Sequence, residues 1–166
     1  MPVFVGTPMR KGETMALANM TQAETDKYNR EHCKHIADEL HEYALGHLWK
    51  CDECGEVFNE CDHEGWTDLD PCPLCHDEDA RFEQQSVYDW LEDALSIESY
   101  TMDANGEYKG AEVCVTWGGP GIYVDTVRGM VNLYWWGDEA HYPLSDTAVG
   151  GLDEVLEEYF QMAKCG

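Results

Sequence analysis

Two CxxC pairs, Cys51/Cys54 and Cys72/Cys75, constrain this chain more than any other feature of it. Each pair can present two sulfurs to one ion from a tight turn, and seventeen residues separate the pairs, a length that lets the second turn face the first. Gly55 behind the first pair, and Pro71 and Pro73 around the second, supply suitable turn chemistry. Four thiolates complete a tetrahedral ion and leave no position for a substrate water, so the site they predict is structural. Zinc is the expected ion, with iron as the alternative because four sulfurs hold either. Cys61 and His63 lie between the pairs and could replace one ligand, although a connection of Asp, His and Gly reads more simply as a solvated loop.

The segment CDECGEVF resembles the first knuckle of zinc-ribbon and rubredoxin-like families, and CPLC resembles the second, with His76 standing where many members have glycine. The resemblance covers residues 49–77 and implies a four-sulfur structural site, without implying a function for the whole chain. Rubredoxin-like proteins are shorter and space their pairs more widely, which favours zinc over iron. Leu48 and Trp49 lead into the first pair and Val57 and Phe58 lead out, as short strands flanking a knuckle would.

Around that segment the periodicity predicts an α+β fold. Thr21 to Glu24 fits a capping box, and Tyr28, His32, Ile36, Leu40 and Tyr43 then recur at helical spacing until Gly46. A second helical stripe runs through Val87, Trp90, Leu91, Ala94 and Leu95, with Ser86 as its cap. Residues 97–102, 108–117, 122–126 and 130–136 are rich in β-branched and aromatic residues and are separated by glycine-containing turns, which predicts an antiparallel meander. Leu152, Val155, Leu156, Tyr159, Phe160 and Met162 mark a final helix capped by Ser145 or Asp146. The expected organisation is a helical segment over 1–47, an acidic metal-bound insertion over 48–80, and a helix, sheet and helix over 81–166 that forms one unit with 1–47.

The histidines and remaining cysteines suggest little chemistry. His32, His35 and His41 share the first helix with Cys33, without acidic partners at ligand spacing, and read as surface or half-buried side chains. Cys114, between two valines in a predicted strand, reads as a small buried hydrophobe. The run from Trp117 to Gly121 has no following Lys/Ser pair and reads as a turn, not a phosphate loop. No convergent acid, base and nucleophile emerges, so an enzyme is not expected. No apolar run approaches the ~18 residues of a membrane span, and Met1 to Met20 lacks the order of a signal peptide, so a cytoplasmic protein with reduced thiols is expected.

Charge narrows the partner. The formal charge is -24, and it is regional: residues 1–50 carry six basic and seven acidic residues, whereas residues 51–166 carry four and twenty-seven. Residues 51–80 hold eleven carboxylates and neither Lys nor Arg, and a zinc tetrathiolate would deepen the total by two. Contact with nucleic acid relies on Lys and Arg, so direct DNA binding is disfavoured and the basic groove of a nucleic-acid-binding protein is the complementary partner. Duplex DNA carries about one charge per 1.7 Å of axis, so the excess, spread over a globule roughly 40 Å across, matches about a dozen base pairs.

In this character, without a shared motif, the whole chain resembles the small acidic DNA mimics that phages encode against host defence, the anti-CRISPR and anti-restriction inhibitors. The resemblance implies stoichiometric inhibition of a CRISPR effector or comparable complex, in the cytoplasm of a bacterial host. The carboxylates of Asp62, Glu64, Asp68, Asp70, Asp77, Glu78, Asp79, Asp138 and Glu139 would contact the partner, with Trp135 and Trp136 beside them. The alternative expectation is a zinc-ribbon adaptor in transcription or assembly, docking through the aromatic strand that carries Tyr134, Trp135 and Trp136.

Overall fold

The computed structural model describes residues 21–117 and 119–165. The N-terminal stretch Met1–Met20, expected to carry no signal peptide, lies outside them, as does the side chain of Cys165.

The first helix, α1, runs over Gln22–Leu45 and starts as the sequence predicts. Thr21 Oγ accepts from the Glu24 N–H, and the Glu24 carboxylate accepts from the Thr21 N–H at 2.8 Å, satisfying donors that the first helical turn leaves open. Beyond its end, the Gly46 and His47 N–H groups return to the carbonyls of Tyr43 and Glu42. Cys33, Ile36, Ala37, Leu40 and Tyr43 form its buried face.

Three short strands follow: β1 (Leu48–Cys51), β2 (Val57–Asn59) and β3 (Phe82–Gln84), antiparallel in the order β2-β1-β3. A single 3-10 turn over Glu60–Asp62 leaves β2. Helix α2 (Val87–Asp93) is shorter than its apolar stripe predicts. Ala94 turns into extended backbone and the Leu95 N–H is taken by the Cys114 carbonyl, so pairing with the next sheet ends the helix and leaves Leu95 exposed.

The main sheet is a five-stranded antiparallel meander in sequence order: β4 (Ser96–Met102), β5 (Tyr108–Thr116), β6 (Gly121–Asp125), β7 (Met130–Trp135) and β8 (Asp138–Pro143). The fold is α+β, as expected, and β8 adds a strand that the sequence does not announce. Alternate residues Val113, Ile122, Val124, Val131 and Leu133 are buried against α1 and the last helix, α3 (Asp146–Cys165), which contributes Ala148, Leu152, Leu156 and Phe160. Ser145 Oγ accepts from the Ala148 N–H, capping α3 as predicted. The helices cross closely because Gly151 has no side chain: a Cβ there would lie 3.0 Å from the Cβ of Ala44. Cys33 and Cys114 are both buried, and desolvation pushes the Cys33 thiol up to about 11. No described helix is long and apolar enough to cross a membrane.

Candidate metal centre

The β1/β2 hairpin and the segment before β3 bring the four predicted cysteines together. The Sγ atoms of Cys51, Cys54, Cys72 and Cys75 lie within 4.8 Å of one another, with Cys51 and Cys75 at 4.0 Å. Two turns with the same hydrogen-bond pattern hold them. In the first, the Gly55 N–H donates to the Cys51 carbonyl at 2.9 Å and the Cys51 N–H to the Glu56 carbonyl at 3.1 Å. In the second, the His76 N–H donates to the Cys72 carbonyl at 2.8 Å and the Cys72 N–H to the Asp77 carbonyl at 3.1 Å. Gly55 and His76 occupy the same left-handed backbone region, with φ of 72° and 60°.

Comparison with family models, with curated proteins and with solved structures gives no match. The centre therefore rests on its own geometry and donor chemistry.

That chemistry fits a thiophilic dication. Cys51 and Cys72 are buried, whereas Cys54 and Cys75 face solvent. Desolvation pushes the Cys72 thiol up, but the N–H groups of Cys75 and Leu74 and the adjoining sulfurs outweigh it and bring the thiol down to about 7. Around Cys75 the Asp77 N–H pulls the other way, yet desolvation and the three neighbouring sulfurs push the thiol up to about 12. Burial also raises Cys51. Four sulfurs this close cannot all ionise by themselves, and a bound dication removes that conflict. Cys51, Cys54, Cys72 and Cys75 would hold a zinc ion, which supplies a structural cross-link between the two turns.

Cys61 and His63 do not join these sulfurs. His63 packs edge-on against Phe58 at 5.7 Å, and Cys61 sits in the 3-10 turn. Beside the centre lies an aromatic cluster that the sequence does not reveal: Trp66 packs edge-on against Phe58 (4.8 Å), Phe82 (5.0 Å) and Trp49 (5.8 Å). Its Nε1–H donates to the Pro71 carbonyl, tying the connecting loop to the second turn. A lone tryptophan between glycine and threonine in an acidic loop is the one hint of this.

The predicted partner-binding residues fall into two groups. Asp62, Glu64, Asp68, Asp70, Asp77, Glu78 and Asp79 are exposed on the lobe that carries the four cysteines. Three of the lobe's carboxylates also brace the backbone: Asp70 accepts from Thr67, Asp77 from the Asp79 N–H, and Asp52 from the Arg81 N–H. Trp135, Trp136, Asp138 and Glu139 lie at the β7–β8 turn, where Gln22, at the start of α1, donates to Asp138. The metal lobe leaves from the opposite end of α1, a helix of 24 residues and so about 36 Å long. Within the second group, Trp135 packs against the core, whereas Trp136 is 92% exposed in left-handed backbone, φ 48°.

Proposed function

We propose that this chain is a non-catalytic binding protein whose zinc-stapled acidic lobe docks on the basic surface of a nucleic-acid-binding partner. One observation carries the proposal: of the carboxylates between Cys51 and Ala80, every one but Glu60 is exposed, on backbone that the metal turns and the Trp66 cluster hold in place. Rigid, unneutralised charge of one sign favours fast, oriented encounter with a complementary surface. In its finer form, the partner is a CRISPR effector or another host-defence complex, and the lobe fills its nucleic-acid site in the manner of a DNA mimic. The regional charge and the acidic character described above support that form.

The test is competition between the zinc-loaded chain and duplex DNA for such a complex. Affinity should fall on the order of tenfold or more between about 0.05 M and about 0.3 M salt. Reversing Glu64, Asp68 and Glu78 to Lys should abolish competition; these three make no hydrogen bond or ion pair among the described residues, so the fold should survive. Tight binding that persists through both changes would end the proposal.

A second reading is favoured by Trp136, an indole exposed on a turn where such a residue is sterically disfavoured. An adaptor that docks through the aromatic hairpin would lose its partner on Trp136→Ala and tolerate the three charge reversals, the reverse of the pattern above.

A further inference from the structure

The β1/β2 hairpin has two ends, and the cysteine centre occupies only one of them. At the other, the Glu60 N–H donates to the His47 carbonyl at 3.0 Å, which brings three side chains together. A ring nitrogen of His47, a carboxylate oxygen of Glu60 and the Sγ of Cys61 lie within 4.8 Å of one another. We propose that His47, Glu60 and Cys61 form a second divalent-metal site, suited to zinc or cobalt(II), with a fourth position left for water.

The surroundings orient these groups as metal ligands are oriented. His47 Nδ1 bonds the Glu42 carboxylate at 3.0 Å, and the same Glu42 oxygen accepts from Asn59 Nδ2 at 2.8 Å. A carboxylate on one ring nitrogen fixes the tautomer and leaves Nε2 as the basic atom that faces a metal. Glu60 Oε2 accepts from Trp49 Nε1 at 2.9 Å, and the Cys61 N–H donates to Asn59 Oδ1 at 2.8 Å. Each of the three side chains therefore keeps one donor atom, His47 Nε2, Glu60 Oε1 and Cys61 Sγ, that makes no hydrogen bond among the described residues and is left for a metal.

Imidazole, carboxylate and thiolate together carry two negative charges, which a dication neutralises. Ligand bonds of about 2.0 to 2.3 Å imply donors roughly 3.3 to 3.8 Å apart around a tetrahedral ion. The donor atoms, all within 4.8 Å of one another, need close only to that separation: the exposed Cys61 side chain can swing its sulfur inward, and a small adjustment of the His47 and Glu60 side chains closes the remaining pair. From His47 to Cys51 is about 13 Å along β1, so the two centres share no ligand. Mixed donors and an open position make this the weaker of the two sites.

The experiment is a titration of the full chain, reduced and freed of metal, with one equivalent of zinc to fill the four-cysteine centre and then with cobalt(II). The proposal expects a second saturable equivalent, with tetrahedral ligand-field bands and a charge-transfer band from a single thiolate. Cys61→Ser should remove that charge-transfer band and weaken the second equivalent at least tenfold. His47→Ala should abolish it, and Glu42→Gln should weaken it roughly tenfold by freeing the imidazole. In each variant the first equivalent of zinc should remain, reporting an intact lobe. The absence of a second saturable equivalent in the parent chain overturns the proposal, as does one that persists unchanged in Cys61→Ser. Because Cys61 is exposed, its substitution leaves folding intact and decides the matter even if His47→Ala unfolds.

Discussion

His76 occupies in the second metal turn the left-handed conformation that Gly55 occupies in the first, and a side chain there costs about 1 to 2 kcal/mol. His76→Gly should therefore raise stability by up to about 1 kcal/mol after the entropy of a freer unfolded chain is deducted. Gly55→Ala should lower it by a similar amount, because the space is open and only the backbone objects. Denaturant unfolding of the zinc-loaded chain measures both. Glu39 is a different case. Desolvation, and then Asp93, push its carboxyl from an ordinary 4.5 up to about 7, and its Oε1 is buried without a hydrogen bond among the described residues. Between those two values the folded form keeps a proton that the unfolded form has released, so stability falls as pH rises through this window and levels off above it. The whole shift corresponds to roughly 3 kcal/mol. Glu39→Gln should flatten that slope and stabilise the chain most near pH 8; parallel pH profiles for the two proteins would refute this. The clustering of Cys51, Cys54, Cys72 and Cys75 is legible because CxxC spacing is local. The Glu39 carboxyl is not, because its desolvation arises from packing that no window of sequence contains.

Among the elements, α1 and α3 could be read from apolar periodicity and caps, and β5 to β7 from β-branched runs. Strand β8 could not. Its residues Asp138 to Pro143 carry only Ala140 and Tyr142 toward the core, and its pairing with β7 is dictated by the tight turn at Trp136–Gly137. Positive φ at both turn residues matches the twist of a two-residue hairpin, a setting that ordinarily selects Asn-Gly. Trp136→Asn should therefore stabilise the hairpin by several tenths of a kcal/mol to about 1 kcal/mol, read as a rise in Tm. If the hairpin is a docking element, the same change should weaken partner binding, separating stability from function in one variant. Helix α2 illustrates the opposite failure: its stripe extends to Leu95, but a backbone hydrogen bond to β5 outweighs two further helical residues.

At the scale of the whole molecule, the large apolar core lies between the five-stranded sheet and the helices, whereas the metal lobe relies on a few aromatic rings and a cluster of sulfurs. Removing metal with a strong chelator under reducing conditions should therefore abolish the near-ultraviolet signal of Trp49 and Trp66 while most helical signal persists. Acid should do the same, because protons compete for the thiolates and metal affinity falls with pH. Loss of all secondary structure on chelation would show that the lobe nucleates the fold. Helix α1 joins the lobe at one end to the indole-bearing hairpin at the other, and so acts as a calliper of set opening. A target touching both tips must present its recesses at that interval, and each full turn added to the helix would widen the jaws by about 5.4 Å.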